Sequence, residues 1–304
     1  MINRVEKAIK ELDYQYNLMA GSIRSKKTRT IGLIIPDISN LFFAALVTNI
    51  EDIFFANNYN IMMCNSYYDI RKESEILKMM LTKKVDGIII VPESVDGQYI
   101  EKIRRLGTPI VVLERMIPGI EVDTVLIDNR KVSYEATEYL IKLGHVNIGY
   151  IDRKVDKYHS LDRKKGYEDA LNHYGLSLDN NLITRGGFSC EDGFKATNLL
   201  LRNKNISAIL TFGDFAALGA IRAIIDKGLK VPEDISVVGY TDMPISAFVV
   251  PKLTTIHYPI KKIAKSAGEL LLLRIKEPDI KEIKNIVLEP RLVIRESTSF
   301  VKAN

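Results

Sequence analysis

Seven short polar clusters in this chain each follow an apolar run of strand length: Pro36-Asp37, Asn65-Ser66-Tyr67, Pro92-Glu93-Ser94, Glu114-Arg115, Asp152-Arg153, Gly213-Asp214 and Thr241-Asp242. They bring together carboxylates, forked guanidinium donors, amides and hydroxyls, and the aromatic residues Phe42, Phe43, Tyr67 and Phe188 stand nearby. Hydrogen-bonding groups beside ring faces suit reversible binding of a small polar ligand that also has apolar faces, such as a sugar or a nucleobase. The competing reading is that Asp and Ser at such places cap helices or close turns, and both readings stay open at each position.

Covalent chemistry finds less support. The sequence contains no G-x-S-x-G elbow, no H-E-x-x-H, no G-x-x-x-x-G-K-[ST] and no G-x-G-x-x-G after a strand. Paired carboxylates such as Asp234 and Asp242 occur, but nothing selects them as an acid and a base. His145, His159, His173 and His257 are scattered without metal-ligand spacing. Cys64 and Cys190 are too few and too far apart for a disulfide framework or a zinc cluster, so both are expected as packing residues. The expectation is a binding protein with no metal, no cofactor and no enzymatic activity.

The elements that would position the clusters alternate regularly. Apolar strands are expected at 31–35, 60–64, 87–91, 109–113 and 124–127, separated by amphipathic helices near 42–57, 70–83 and 98–106. A second series starts with a helix at 132–143. It continues with strands at 147–151, 182–184, 207–211 and 235–240 and helices near 162–174, 190–202 and 215–227. Such repetition gives an α/β fold of two parallel sheets, each covered on both faces. A helix at 260–275 and strands at 284–288 and 291–295 are too few for a third core and are expected to complete the two sheets. The chain would then cross between subdomains near Asp128, His257 and Glu289, giving a cleft that opens and closes about a multiply crossed waist. In open parallel sheets ligands bind beyond the carboxyl ends of the strands, where the seven clusters stand.

With 304 residues, 46% of them hydrophobic, the chain can bury two cores. Runs such as GIIIVP and PIVVL fall well short of the roughly 18 to 20 apolar residues of a membrane helix. The start, MINRVEKAIKEL, carries no apolar signal region, so a cytoplasmic protein with no membrane partner is expected. Residues 1–30 hold seven basic side chains against three acidic ones, which accounts for most of the net charge of +5. Such a run is either a solvated linker or a phosphate contact. Val5, Ala8, Ile9 and Leu12 predict one amphipathic helix over 3–13, and residues 18–23 could form a short helix only if a partner orders it.

The phrases AIKELDYQYN, TRTIGLIIPDISNLFF, KKVDGIII, LGHVNIGYI, DRKKGY, VPEDISVVGYTDMP, LTTIHYPI and RLVIREST, spread from Arg4 to Ser299, resemble the lac-repressor and galactose-repressor family of bacterial transcription regulators. The resemblance implies a DNA-binding headpiece, a hinge helix, and a periplasmic-binding-protein-like core that dimerises and senses a small effector. The chain starts inside what resembles the third headpiece helix. The expectation is either a truncated or misassigned start, or a regulator without direct base readout. Residues 1–29 would be the headpiece remnant and hinge, and 30–304 the effector core. Within the core, the N-subdomain is expected at 30–128 plus 258–288, and the C-subdomain at 129–257 plus 289–304.

On the same resemblance Asn17, Ala20 and Ile23 occupy the minor-groove hinge positions, with Arg24, Lys26 and Lys27 beside them for phosphates. Asp13, Tyr16 and Gly21 depart from the family pattern there. For the effector pocket the implied residues are Asp37, Phe42, Phe43, Tyr67, Arg163, Phe188, Asp214 and Asp242, with Arg163 as the ligand clamp. Gly213 and Thr241 replace an Asn and an Asp of the sugar-binding pattern, so a typical hexose is not implied and the class of effector stays open. Operator DNA, if the headpiece is complete, and a second copy of the chain are the implied partners. The rival reading is a stand-alone small-molecule binding protein.

Overall fold

The computed structural model describes residues 27–93, 97–153, 158–203 and 205–302. The helices expected over 3–13 and 18–23 lie outside the described residues. Strand β1 (Thr30–Ile35) shows why the sequence builds buried parallel sheets. Ile31, Leu33 and Ile35 point to one face and pack with Phe42 and Leu46 of helix α1 (Leu41–Ala56). Ile34 points to the other and packs with Ile76, Leu77 and Met80 of α2 (Ile70–Thr82). With helices on both sides the strand has no solvent face, so it reads as a continuous apolar run. Strands β3 (Gly87–Ile90) and β4 (Ile110–Leu113) split the same way, Ile89 and Val111 to the first face, Ile88 and Val112 to the second.

The first sheet has the order β11 (Asn285–Leu288), β5 (Asp123–Ile127), β4, β3, β1, β2 (Asn60–Asn65), and every pair in it is parallel. The second sheet runs β12 (Arg291–Val293), β10 (Thr254–His257), β9 (Ser236–Thr241), β8 (Ala208–Thr211), β6 (Ile148–Asp152), β7 (Ile183–Arg185). Only β12 is antiparallel, to β10. Helices α3 (Gln98–Arg105) and α8 (Ile260–Lys276) join α1 and α2 around the first sheet. The second carries α4 (Asn129–Lys142), α5 (Tyr158–His173), α6 (Cys190–Leu200) and α7 (Asp214–Asp226). The α6–α7 pair approaches closely at Gly219, where a Cβ would lie 1.9 Å from the Cys190 carbonyl oxygen.

Most elements fall where periodicity places them, and the differences have local causes. Strand β10 goes beyond the sequence reading, because its buried positions Thr254 and Thr255 are polar. Their hydroxyls are satisfied inside, Thr254 by Thr298 at 3.0 Å and Thr255 by the Asp214 carboxylate. Helix α4 starts three residues before the expected 132 because the Asp128 carboxylate accepts from the Lys131 N–H at 3.0 Å and caps it. Cys64 packs against the core as expected, but Cys190 is exposed at the start of α6, which corrects its reading as a packing residue.

The chain passes between sheets three times: after β5 at Asp128-Asn129, after β10 at Tyr258-Pro259, and between β11 and β12 at Glu289-Pro290. A buried ion pair holds the far edge of the first sheet. Arg274 of α8 donates from Nε and Nη2 to Asp123 of β5 at 2.6 and 2.8 Å, and also reaches the carbonyls of Ile280 and Glu282. The same carboxylate accepts the Lys284 N–H at 2.8 Å, so one charge pair guides the chain from α8 into β11. Asp123→Ala leaves the Arg274 guanidinium buried without its counter-charge. It should lower unfolding stability by about 3–5 kcal/mol in urea titrations.

Candidate ligand site

The carboxyl ends of both sheets face each other across an inner cavity of about 70 Å³. The first sheet's side supplies Asn40, Phe42, Phe43, Tyr68, Glu93 and Glu114, and the second supplies Arg153, Arg163, Phe188, Phe212, Asp214 and Thr241. Tyr258, on the second crossing, closes the floor. Asn40, Tyr68, Arg153, Phe188 and Phe215 also border a wider recess of about 820 Å³, so they stand at the mouth between the two spaces.

The floor is built around Arg163, which the N-terminal half of α5 carries into the waist. Its Nε donates to Asn129 Oδ1 at 3.0 Å, Nη1 to the Phe212 carbonyl at 2.8 Å and Nη2 to the Tyr258 hydroxyl at 2.8 Å. The guanidinium carbon lies 3.8 Å from the Tyr240 ring centroid and 4.3 Å from that of Phe212. Asn129 Oδ1 also accepts from the hydroxyls of Tyr240 and Tyr258. Asn129 and Tyr258 belong to two different crossings, so this network joins the cavity to both crossing segments.

Two carboxyls in the wall are unusual. Glu114 is buried, and its Oε1 has no hydrogen-bond partner although it borders the cavity. Burial raises its pKa to about 7, against the lowering effect of Arg163 and Arg115. Asp214 is pushed up to about 6, again by burial first, but it is well satisfied, by the Thr255 hydroxyl, the Met243 N–H at 2.7 Å and the Thr241 hydroxyl at 3.3 Å. Tyr68, Glu114 and Thr241 have φ of 59°, 68° and 107°. Non-glycine residues in the left-handed region cost energy and concentrate where a side chain must be aimed.

At the mouth, the Tyr68 ring from the first sheet's side stacks on Phe188 from the second, with centroids 6.0 Å apart and planes 10° from parallel. The Arg153 guanidinium carbon lies 4.7 Å from the Tyr68 centroid and 4.8 Å from that of Phe188.

Of the eight effector positions expected from sequence, Phe42, Phe43, Arg163, Phe188 and Asp214 border the cavity. Three do not. Tyr67 is 58% exposed and lies under the Lys72 ammonium at 3.9 Å, while its neighbour Tyr68 turns inward. Asp37 borders only the outer recess, where Ser39 donates to it from its N–H and hydroxyl. Asp242 is held by Arg295 at 2.6 Å and His257 at 2.8 Å outside the cavity lining. Sequence reasoning missed Tyr258 and Asn40. Glu114 and Arg153 were members of strand-end clusters, and their position in the clusters was the only signal they gave. Among the described residues no three His, Cys, Asp or Glu side chains could hold a metal ion, and no helix is long and apolar enough to cross a membrane.

Residues 137–298 match the sequence profile of the periplasmic binding protein-like domain. The helix-turn-helix transcriptional regulator RegA of Clostridium saccharobutylicum is 36% identical over 297 residues, covering 97% of this chain and 89% of that protein. The PurR repressor of Aliivibrio fischeri is 34% identical over 300 residues, with coverage of 97% and 89%. A solved LacI family transcriptional regulator from Enterococcus faecium, with bound ribose, superposes with a TM-score of 0.81 at 31% identity, covering 90% of this chain and all of that one. The chain belongs to the LacI family of transcriptional regulators. These relatives are transcription regulators.

The segment entering β1 carries the positions expected from sequence as a DNA-contacting hinge. Asn17, Ala20, Ile23, Arg24 and Lys26 lie outside the described residues. Lys27 is exposed beside Lys84 and Asp86. Asp86 grips the next two residues, accepting from the N–H groups of Thr28 at 2.8 Å and Arg29 at 3.0 Å, while the Thr28 hydroxyl donates to the Lys84 carbonyl at 2.8 Å. Strand β1 then runs straight to Pro36 at the cavity wall.

The raised pKa of Glu114 has a signed consequence for stability. Its folded value of about 7 lies above the ordinary glutamate value, so the folded state holds more protons than the unfolded state between about pH 4.5 and 7. Its contribution to stability therefore falls as pH rises through that window. Glu114→Gln removes the titration. Its stability relative to wild type should rise from about pH 4.5 to 7 and level off above, as read from melting temperatures across buffers.

Proposed function

We propose that this chain is a repressor whose two sheets close on a small polar effector and so change the geometry of the residues that precede Thr28. The observation that carries the reading is the path from cavity to hinge: β1 has Pro36 at the cavity wall and the Asp86-held residues Thr28 and Arg29 at its other end. Six residues at about 3.3 Å each make a strut of about 20 Å. The match to a ribose-bound LacI family regulator supports a ligand in the cleft. We assign effector contact to Phe42, Phe43, Tyr68, Glu114, Arg163, Phe188 and Asp214, all of which border the cavity. The subdomains follow the sheets, with 30–128 plus 258–288 in one and 129–257 plus 289–304 in the other. The family resemblance supports a homodimer with paired hinges on a two-fold operator, with Ile23 as the minor-groove wedge.

A version of this protein extended upstream to include a helix-turn-helix should bind a two-fold operator. Its affinity should fall by on the order of 10³ between roughly 50 and 200 mM salt, and this chain alone should bind far more weakly. Fluorescence anisotropy with labelled duplexes measures both, and equal affinity of the two proteins would overturn the reading.

A second test addresses transmission. Tyr258→Phe removes the hydroxyl that accepts from Arg163 and donates to Asn129. In the extended protein it should weaken the effector's influence on operator affinity by about 1 kcal/mol or more while effector still binds. Titrations of operator with and without effector read that coupling, and an unchanged coupling would remove the floor network from the mechanism.

A further inference from the structure

Arg153 is only 7% exposed, yet among the described residues no carboxylate lies within ion-pair distance of its guanidinium and none forms a hydrogen bond with its side chain. Its backbone N–H donates to Asp152 Oδ1 at 2.7 Å. What holds the side chain is the two ring faces of Tyr68 and Phe188, which leave the planar edge and its donors unused. Burial depresses its pKa, but an arginine keeps its charge at neutral pH. A buried cation is expensive without a partner. Here it borders both the inner cavity and the outer recess.

The other charges do not supply that partner. Arg163 adds a second guanidinium to the same cavity, bonded to an amide, a carbonyl and a phenol rather than to a carboxylate. Glu114 is held near neutrality by burial and can act as a donor toward an oxygen. Asp214 turns both oxygens to Thr255, Thr241 and the Met243 N–H. In the outer recess, Asp37 is taken up by Ser39 and Asp192 accepts from the Ser189 hydroxyl. The inner space therefore presents two cations beside three buried carboxyls, Glu93, Glu114 and Asp214; none of them forms an ion pair with Arg153 among the described residues, Glu114 is held near neutrality and Asp214 is already satisfied.

We propose, resting on the reading of this cavity as the effector site, that the effector is an oxyanion. It would be the acid or phosphate ester of a small polar metabolite, with its anionic group on the free edge of Arg153 and its hydroxyl or carbonyl groups toward Glu114 and Arg163. A guanidinium edge matches carboxylate and phosphate geometry alike with two parallel N–H donors, and both are far stronger partners than a neutral hydroxyl. The rings of Tyr68 and Phe188 orient the cation without neutralising it. Closure of the two sheets brings both faces of the mouth to the ligand's charged end.

The test is thermal shift and calorimetry on this chain with matched probes: ribose and ribose phosphate, glucose and gluconate, glycerol and glycerol phosphate, and inorganic phosphate. At least one anionic member should raise the melting temperature where its neutral counterpart does not. Phosphate esters and gluconate separate the two sources of negative charge. Arg153→Gln should weaken that probe at least about tenfold, and Arg153→Lys, which keeps the charge but not the fork, should weaken it less. Higher salt should weaken it too. Neutral members binding as well as charged ones, no response to any anion, or equal loss of neutral and charged probes in Arg153→Gln would each overturn the proposal. The comparison of matched probes on the unaltered chain needs no variant to fold. Binding of a neutral sugar that alters operator affinity would leave the regulator reading standing while removing the anionic effector.

Discussion

The hydrogen bonds of Arg163 hold the waist of this molecule. One buried guanidinium donates to Asn129 on the first crossing, to Tyr258 on the second, and to the carbonyl that ends β8. Asn129 Oδ1 gathers Arg163 and two tyrosine hydroxyls at a single atom. A cation this deep is tolerated because an amide oxygen, a carbonyl and a phenol oxygen accept from it and two ring faces cover it. The same group borders the cavity, so a ligand that competes for its remaining N–H donors acts on both crossing segments at once. A buried network that joins several elements at one atom has few alternative arrangements, and that makes it a suitable element for two discrete states of the cleft.

Around that floor the molecule departs from its own rules. Elsewhere β1, β3 and β4 divide their side chains cleanly between two apolar faces. At the cavity, Tyr68, Glu114 and Thr241 adopt positive φ, Glu114 leaves a buried oxygen unsatisfied, and Arg153 is buried with no ion pair among the described residues. Local violations of this kind persist where the surrounding structure over-determines them, and they cluster where a ligand completes the arrangement.

How much of this was legible follows from which signals are local. Strands flanked by helices on both faces announce themselves as apolar runs, so the two sheets and nearly all the helices could be read from periodicity, as could the place of the cavity at the strand ends. Strand β10 could not, because its buried threonines depend on Thr298 and Asp214, partners remote in sequence. Tyr67 and Tyr68 look equivalent in sequence. Both have positive φ, and this turn breaks the alternation of the strand and sends the second ring inward. Asp242 looked like a ligand-facing acid because its partner Arg295 lies 53 positions further on. The resemblance implied Arg163 as a ligand clamp; the structure puts it at the cavity, with hydrogen-bond partners on two of the crossing segments.

The three crossings also decide how the chain can be made. The first sheet has five of its strands by Ile127, but its edge strand β11 spans Asn285–Leu288, after the whole second sheet except β12 has been synthesised. Until then β5 presents an unpaired edge, the kind of surface on which nascent chains associate wrongly. Pairings that span so much sequence form late, because loop closure is opposed by chain entropy until the contact is made. The crossings that join the two halves thus make their completion a joint event at the end of folding.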